Sequence, residues 1–218
     1  MKSTFTQLLR VTLLACLSVV SSLSFAQEIN LKNPYTMVEQ VSKQTFSRFA
    51  DDQALIEKDL NHLKVIVAEE LMPYVDYKYA AYKVMGLYLR ESTPEQRKAF
   101  VTAFKGYLIS TYAQAFTEYT DQTVKFSPAL DFAGEKIVEV NVQIVEAGRP
   151  PIKIKFKARR LKDDTWKAFD LVAEGISLLA SKQSEISNLI RQKGIESVIT
   201  MLEDKSKQSI HPDDKAES

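Results

Sequence analysis

Few side chains in this sequence are equipped for covalent or metal chemistry. Its 218 residues include two histidines, His62 and His211, and one cysteine, Cys16. A Cys/His zinc cluster, a thiol redox pair and a supported catalytic triad each need more imidazole or thiolate than this. No G-x-S-x-G, P-loop, G-x-G-x-x-G, H-E-x-x-H or EF-hand pattern is present. Carboxylates remain as acid/base groups, and Asp170 is the most suggestive. Simple strand alternation places it beside Trp166, Ala168 and Val172, with Glu174 on the same side. That pair supports one reading as a small cavity enzyme. The plainer reading is a carboxylate at a sheet margin that pairs with a lysine or caps a neighbouring helix, which is the commoner use of such a group.

Two further patterns carry physical meaning. Lys153, Lys155, Lys157 and Arg159 alternate with Ile152, Ile154, Phe156 and Ala158, and Arg149, Arg160 and Lys162 extend the basic stripe. Such a stripe is the solvated face of an antiparallel sheet, or a docking surface for an acidic partner in a chaperone or docking module. Tyrosines at 74, 77, 79, 82, 88, 107, 112 and 119 combine an apolar ring with a polar tip. They suit core packing, and also the rim of a cavity whose ligand is half apolar and half wet.

The elements that must position these groups follow from composition and period. With 29 Lys+Arg against 28 Asp+Glu, 45% hydrophobic and 26% charged residues, this is a folded globular chain with no overall charge to attract nucleic acid. Lys2 and Arg10, the apolar run Val11 to Val20 and the small residues Ser24 and Ala26 read as a secretory signal peptide over residues 1–26, cut before Gln27. Lipoprotein processing at Cys16 is disfavoured because apolar sequence continues past the cysteine. Without the leader, 192 residues carry 27 basic and 28 acidic groups and no cysteine, so stability must come from an apolar core rather than from disulfides.

Helical periodicity runs from Asn33 to about Tyr119. Asn33-Pro34 reads as a cap and first-turn proline, with Met37, Val38, Val41, Phe46 and Phe49 as the buried stripe. A second stretch runs from Leu63 to a break at Pro73, and a third from Tyr74 to Gly86. Thr93-Pro94-Glu95-Gln96 is a capping box that opens a long helix. From Gln122 the period changes to two: Thr123–Phe126, Lys136–Val145, Ile152–Arg159 and Trp166–Ala173 read as strands joined by short turns, an antiparallel meander. Glu174-Gly175 ends the sheet. Ile176 to Gln192 and Ile195 to Leu202 return to helix, and residues 208–218 form a polar tail, expected to be mobile from His211 onward. The prediction is one α+β domain over residues 27–207, a helical layer packed on one face of a twisted antiparallel sheet.

Several strings occur in a telling order: Asn33-Pro34-Tyr35, Glu70-Leu71-Met72-Pro73-Tyr74-Val75-Asp76, Thr93-Pro94-Glu95-Gln96-Arg97, Gly148-Arg149-Pro150-Pro151, and Asp170-Leu171-Val172-Ala173-Glu174-Gly175-Ile176-Ser177. Together they resemble the MlaC family of periplasmic phospholipid-binding proteins, from Asn33 to about Leu202. Met72 stands where the family commonly has leucine. The resemblance implies a soluble, non-enzymatic carrier with no cofactor other than its phospholipid cargo. Such a carrier works between an outer-membrane lipoprotein–porin complex and an inner-membrane ABC transporter, and maintains outer-membrane lipid asymmetry. It also implies an apolar cavity enclosed between helices and sheet. Carried onto this chain, Val140, Val142, Ile144, Ile152, Ile154 and Phe156 form one wall, and Ile176, Leu179, Tyr107 and Leu108 supply others. Arg97 and Arg149 are the cations placed to approach a phosphate or an acidic docking partner. No metal site and no catalytic residue are implied.

Overall fold

A computed structural model describes residues 28–119 and 122–212. The leader with Cys16, and the last residues of the tail, lie outside them. Helix α1 (Pro34–Asp51) starts where the Asn33 side chain accepts the backbone N–H groups of Tyr35 and Thr36 at 3.0 and 3.1 Å. Two of the donors that a helix start leaves unpaired are thereby satisfied. A short helix α2 (Gln53–Lys58), with no buried residue, follows it. Then α3 (His62–Ile66) runs straight into a π-helical turn (Val67–Leu71) and a 3-10 turn (Met72–Tyr74). Helix α4 (Tyr77–Met85) begins three residues later than periodicity predicts. The reason is tertiary: Val75 bridges Ala168 at the sheet edge, and the Asp76 N–H donates to the Ala168 carbonyl at 2.7 Å, so this stretch is extended.

Helix α5 (Tyr88–Glu91) leads to the long α6 (Pro94–Phe116), whose capping box between Thr93 and Gln96 forms as the sequence suggests. The sheet is a five-stranded antiparallel meander in chain order: β1 (Thr123–Phe126), β2 (Ile137–Val145), β3 (Ile152–Arg160), β4 (Trp166–Ala173) and β5 (Ile176–Ser177). Ile176 and Ser177, expected at the start of a helix, are instead a last short strand, and α7 (Leu178–Lys193) starts after them, with Ser177 as its cap. Helix α8 (Ile195–Lys207) closes the domain. It lies against α6 at Gly106, where an added Cβ would sit 3.0 Å from the Ser206 Cβ. Among the described residues no helix is long and apolar enough to cross a membrane.

The register of β3 with β4 corrects the expected grouping of Asp170. Ala158 pairs with Ala168 but Lys157 pairs with Asp170, so Phe169 is an extra residue, a β-bulge. Partners across a ladder share a face, and one inserted residue reverses everything beyond it. Trp166 and Ala168 therefore lie on the apolar face with Ala158, whereas Asp170 and Val172 lie on the opposite, lysine-bearing face. There Asp170, its side chain 3% exposed, accepts the Leu179 N–H at 3.1 Å and the Ser177 hydroxyl at 2.8 Å, with Lys157 Nζ at 3.6 Å. It anchors the start of α7, the structural use of a carboxylate. Exposed Glu174 turns away and accepts the Lys153 N–H at 2.6 Å, so the two carboxylates do not converge.

Helices are thus not confined to one face. Arg159, on the lysine face, pairs with Asp76 at 2.6 Å and stacks 4.2 Å from the Tyr79 ring of α4. Only Lys153 and Lys155 of the alternating stripe remain exposed, and Lys155 pairs with Glu139 at 3.0 Å.

Three apolar clusters hold the domain. The first is wholly helical, from α4, α6, α7 and α8, with Ala81, Phe100, Phe104, Ile186 and Leu202 at its centre. The second joins α1 through Met37, Val38 and Val41 to Val138, Val140, Val142, Ala158 and Trp166 of the sheet. The third gathers Phe49, Leu63, Ile66, Val67, Met72 and Ala113. Ile210 belongs to it at 6% exposure, because its N–H bonds to Asn61 and the neighbouring His211 N–H to Gln114. The first residues of the predicted tail are therefore packed against the body.

His62 is not isolated either: its Nε2 lies 2.7 Å from Asp52, whose other partner is Arg48 at 2.6 Å. Burial pushes the Tyr112 phenol up to about 12, with the nearby Asp170 and Tyr107 adding to the shift.

Two outcomes follow from this packing. Asp170→Ala is expected to lower unfolding free energy by about 2 kcal/mol, through a lost helix cap and a Lys157 left without its anion. Asp170→Asn keeps an acceptor and costs about half as much, as read by urea titration with circular dichroism. At high pH the unfolded phenol of Tyr112 ionises near 10 and the folded one only near 12, so the folded state binds more protons and stability falls across that window. Tyr112→Phe should shrink that fall, measured as the unfolding midpoint at pH 9 and pH 11.

Candidate functional site

The apolar face of the sheet is built by register. Ile144 pairs with Ile152; Val142 with Ile154, which meets Ala173 and then Ile176; Val140 with Phe156, which meets Leu171. Six expected wall residues, Val140, Val142, Ile144, Ile152, Ile154 and Phe156, do share one face, and β-branched residues dominate it as a pleated apolar surface favours.

Burial along that face is graded. Val140 and Val142 are 1% and 3% exposed beneath α1, Ile154 and Phe156 are half-buried, and Ile152 and Ile176 stand 48% and 62% exposed. Leu178, just beyond β5, is also exposed. One end of the face is therefore sealed by a helix and the other is open apolar surface, a feature that marks binding sites more often than it occurs by chance.

The polar groups beside the open end are few. Lys153 and Glu174 tie the start of β3 to the β4–β5 turn through a reciprocal pair of hydrogen bonds, the Lys153 N–H to the Glu174 carboxylate and the Glu174 N–H to the Lys153 carbonyl. Arg149, in the adjoining turn, is exposed and pairs with Glu146 at 3.2 Å. Arg97 is elsewhere. It donates to the Ser92 carbonyl at 2.7 Å and lines a cavity of about 330 Å3 among Lys78, Tyr82, Lys98 and Val101 of the helical layer. The structure does not bring these two arginines together.

Nor does it bring all the expected walls together. Tyr107 and Leu179 pack in the helical cluster, where Lys182 lies 5.6 Å from the Tyr107 ring. Leu108 bridges that cluster and the third, and Ile176 continues the sheet face through its pairing with Ala173. Leu171 and Ala173 were missed. Strict alternation assigns them to the other face, and only the bulge at Phe169 returns them. A trace was present in the sequence: inserting one residue after Ala168 collects Trp166, Ala168, Leu171 and Ala173 on one side and frees Asp170 from it. Leu71 was also missed as a site neighbour, and it packs against both the sheet cluster and the third cluster.

The electrostatics are permissive. The open face carries no side chain that could act as nucleophile, acid or base, so what it can do is remove apolar surface from water. A second cavity, of about 380 Å3, lies between α1 and β1 among Tyr35, Thr36, Glu39, Phe126, Ser127, Pro128 and Ala129, and reaches Val140.

Known proteins match this architecture. The model of the MlaC protein family matches residues 39–204. The intermembrane phospholipid transport system binding protein MlaC of Haemophilus influenzae is 32% identical over 180 residues, 82% of this chain and 84% of that protein. A solved phospholipid-binding protein from Ralstonia solanacearum, in complex with a phospholipid, superposes with a TM-score of 0.71 at 22% identity, covering 80% of this chain and 97% of that one, which establishes a shared fold. Matched across three quarters of its length by the family and at this identity by a curated member, the chain belongs to the MlaC family.

Proposed function

We propose that this protein is a periplasmic phospholipid carrier. In this reading it is exported by a leader cut before Gln27 and takes lipid between an outer-membrane lipoprotein–porin complex and an inner-membrane ABC transporter, which maintains outer-membrane lipid asymmetry. The observation that carries the reading is the open end of an apolar sheet face, Ile144, Ile152, Ile154, Phe156, Leu171, Ala173 and Ile176, in a member of a family whose relatives are named for phospholipid transport and binding. Val140 and Val142 lie deeper on the same sheet face, beneath α1, whereas Leu108, Tyr107 and Leu179 pack in the helical layer away from it. Arg149 is the cation nearer the open end, while Arg97 suits a partner surface on the helical side.

Magnitude favours burial as the holding force. Each buried methylene contributes ~0.8 kcal/mol, so two acyl chains of about 16 carbons carry on the order of 25 kcal/mol that must be kept from water. Polar contacts at the rim then need only orient the head group, and few of them let it leave. The rival reading as an enzyme loses its acid/base pair, because Asp170 is engaged by the start of α7 and Glu174 by the Lys153 N–H.

Protein purified without detergent should release phospholipid on native mass spectrometry and take up labelled phospholipid from vesicles; a lipid-free protein inert to vesicles would sink the carrier reading. Ile152→Asp and Ile176→Asp alter exposed positions, so unfolding midpoints should stay near wild type. Each should still weaken lipid retention about tenfold by setting a carboxylate against an acyl chain. N-terminal sequencing of the exported protein should begin at Gln27; a lipidated start at Cys16 would overturn the leader assignment.

A further inference from the structure

We propose that the cavity between α4 and α6 is a recognition pocket for the carboxylates of an acidic peptide segment on a partner protein. The pocket stands whether or not the protein carries lipid. Charge is unevenly spread over the helical layer: the whole chain is close to neutral, yet α4 and α6 carry Lys78, Lys83, Arg97, Lys98 and Lys105 against Glu95 alone. A local positive field survives there in a chain that has none overall.

Lys78, Arg97 and Lys98 line the cavity of about 330 Å3, and among the described residues none of the three has an acidic partner. By contrast Lys155, Lys157, Arg159 and Lys182 of β3 and α7 each meet a carboxylate. What steadies the lysines of the α4–α6 seam is aromatic. Lys78 Nζ lies 5.9 Å from the centre of the Tyr82 ring, and Lys105 Nζ lies 5.1 Å from that of Tyr77. A ring face positions an ammonium group without neutralising it, so the charge remains available.

Arg97 is the anchor. One terminal N–H donates to the Ser92 carbonyl at 2.7 Å, while its buried Nε has no acceptor. A buried donor left unpaired is costly, and a guanidinium with donors to spare is the group that grips a carboxylate by two parallel bonds. The start of α6 does not supply the site by itself. Pro94 brings no N–H to the cavity and the Gln96 N–H is already taken by Thr93, so the cavity offers side-chain charge.

Shape selects the occupant. Tyr82, Pro94 and Val101 stand beside the cations, which makes the pocket too roomy and too apolar for a bare phosphate ion. A recess between two helices is likewise a poor match for a flat bilayer. An acidic side chain flanked by an aliphatic one on an extended segment fits both the cations and the apolar wall.

Fluorescence anisotropy on the whole protein, with a labelled peptide that alternates glutamate and leucine, tests the pocket. The peptide should bind with micromolar affinity, and its counterpart with glutamine for glutamate should not. Lys78→Glu and Lys98→Glu alter exposed positions, so unfolding midpoints should stay near wild type, and each should weaken binding about tenfold. Arg97→Lys keeps the charge but loses the paired donors, and should cost about fivefold. Lys125→Glu, exposed on β1, should change affinity by less than about twofold. No binding, or equal weakening by Lys125→Glu, overturns the pocket, and unchanged affinity in Arg97→Lys overturns its anchor. Inorganic phosphate or phosphatidylglycerol vesicles bound through the same lysines in place of the peptide overturn the acidic-segment assignment. Native mass spectrometry separates this from cargo: a protein that holds no lipid removes the carrier reading, while the peptide titration still decides the pocket.

Discussion

The insertion of Phe169 into β4 is the constraint on which the rest of the molecule turns. By reversing the pleat it sends Leu171 and Ala173 to the apolar face and Asp170 to the lysine face within one strand. The first consequence widens the apolar surface by one strand. The second places a carboxylate, almost fully withdrawn from water, where it receives the Leu179 N–H and the cap hydroxyl of α7. Without the bulge a charge would face the core beside Trp166, at the cost of withdrawing an ionised group into apolar surroundings.

Around that joint, the strings that resemble the family act mostly as junctions. Asn33 caps α1. Glu70 ties the π-helical turn to α1. Asp76 caps α4 and also pairs with Arg159 across to β3. Thr93 with Gln96 opens α6, and Asp170 with Ser177 opens α7. Helix starts and chain crossings leave unpaired backbone groups, so particular polar side chains are required there, while the apolar positions between them accept any residue of suitable volume. This is why the motif-level likeness falls largely on polar and glycine-bearing corners, although its last string also carries Leu171, Ala173 and Ile176 of the apolar face.

Scarcity of reactive side chains also acquires a physical sense. A site that works by removing apolar surface from water needs area, an opening and a modest polar rim. The open end of the sheet face supplies these without nucleophile, imidazole or thiol. The grading from buried Val140 to exposed Ile176 makes one face serve as core beneath α1 and as open surface beyond it.

Local signals were legible wherever they were self-contained. The caps at Asn33 and Thr93, the change of period after Gln122, the β2–β3 pairing and the common face of Val140 to Phe156 all follow from short-range backbone chemistry and side-chain alternation. What lay between elements was not legible. The bulge at Phe169, the extended Val75-Asp76 segment against Ala168, the strand at Ile176-Ser177, the packing of Ile210 and the pairing of His62 with Asp52 each depend on a partner in another element. By itself the sequence determined an α+β chain with an apolar sheet face and almost no reactive groups, because periodicity and composition are local sums. Tertiary structure alone decided which part of that face is core and which is open, because burial depends on what another element covers, and no residue carries that in its own identity.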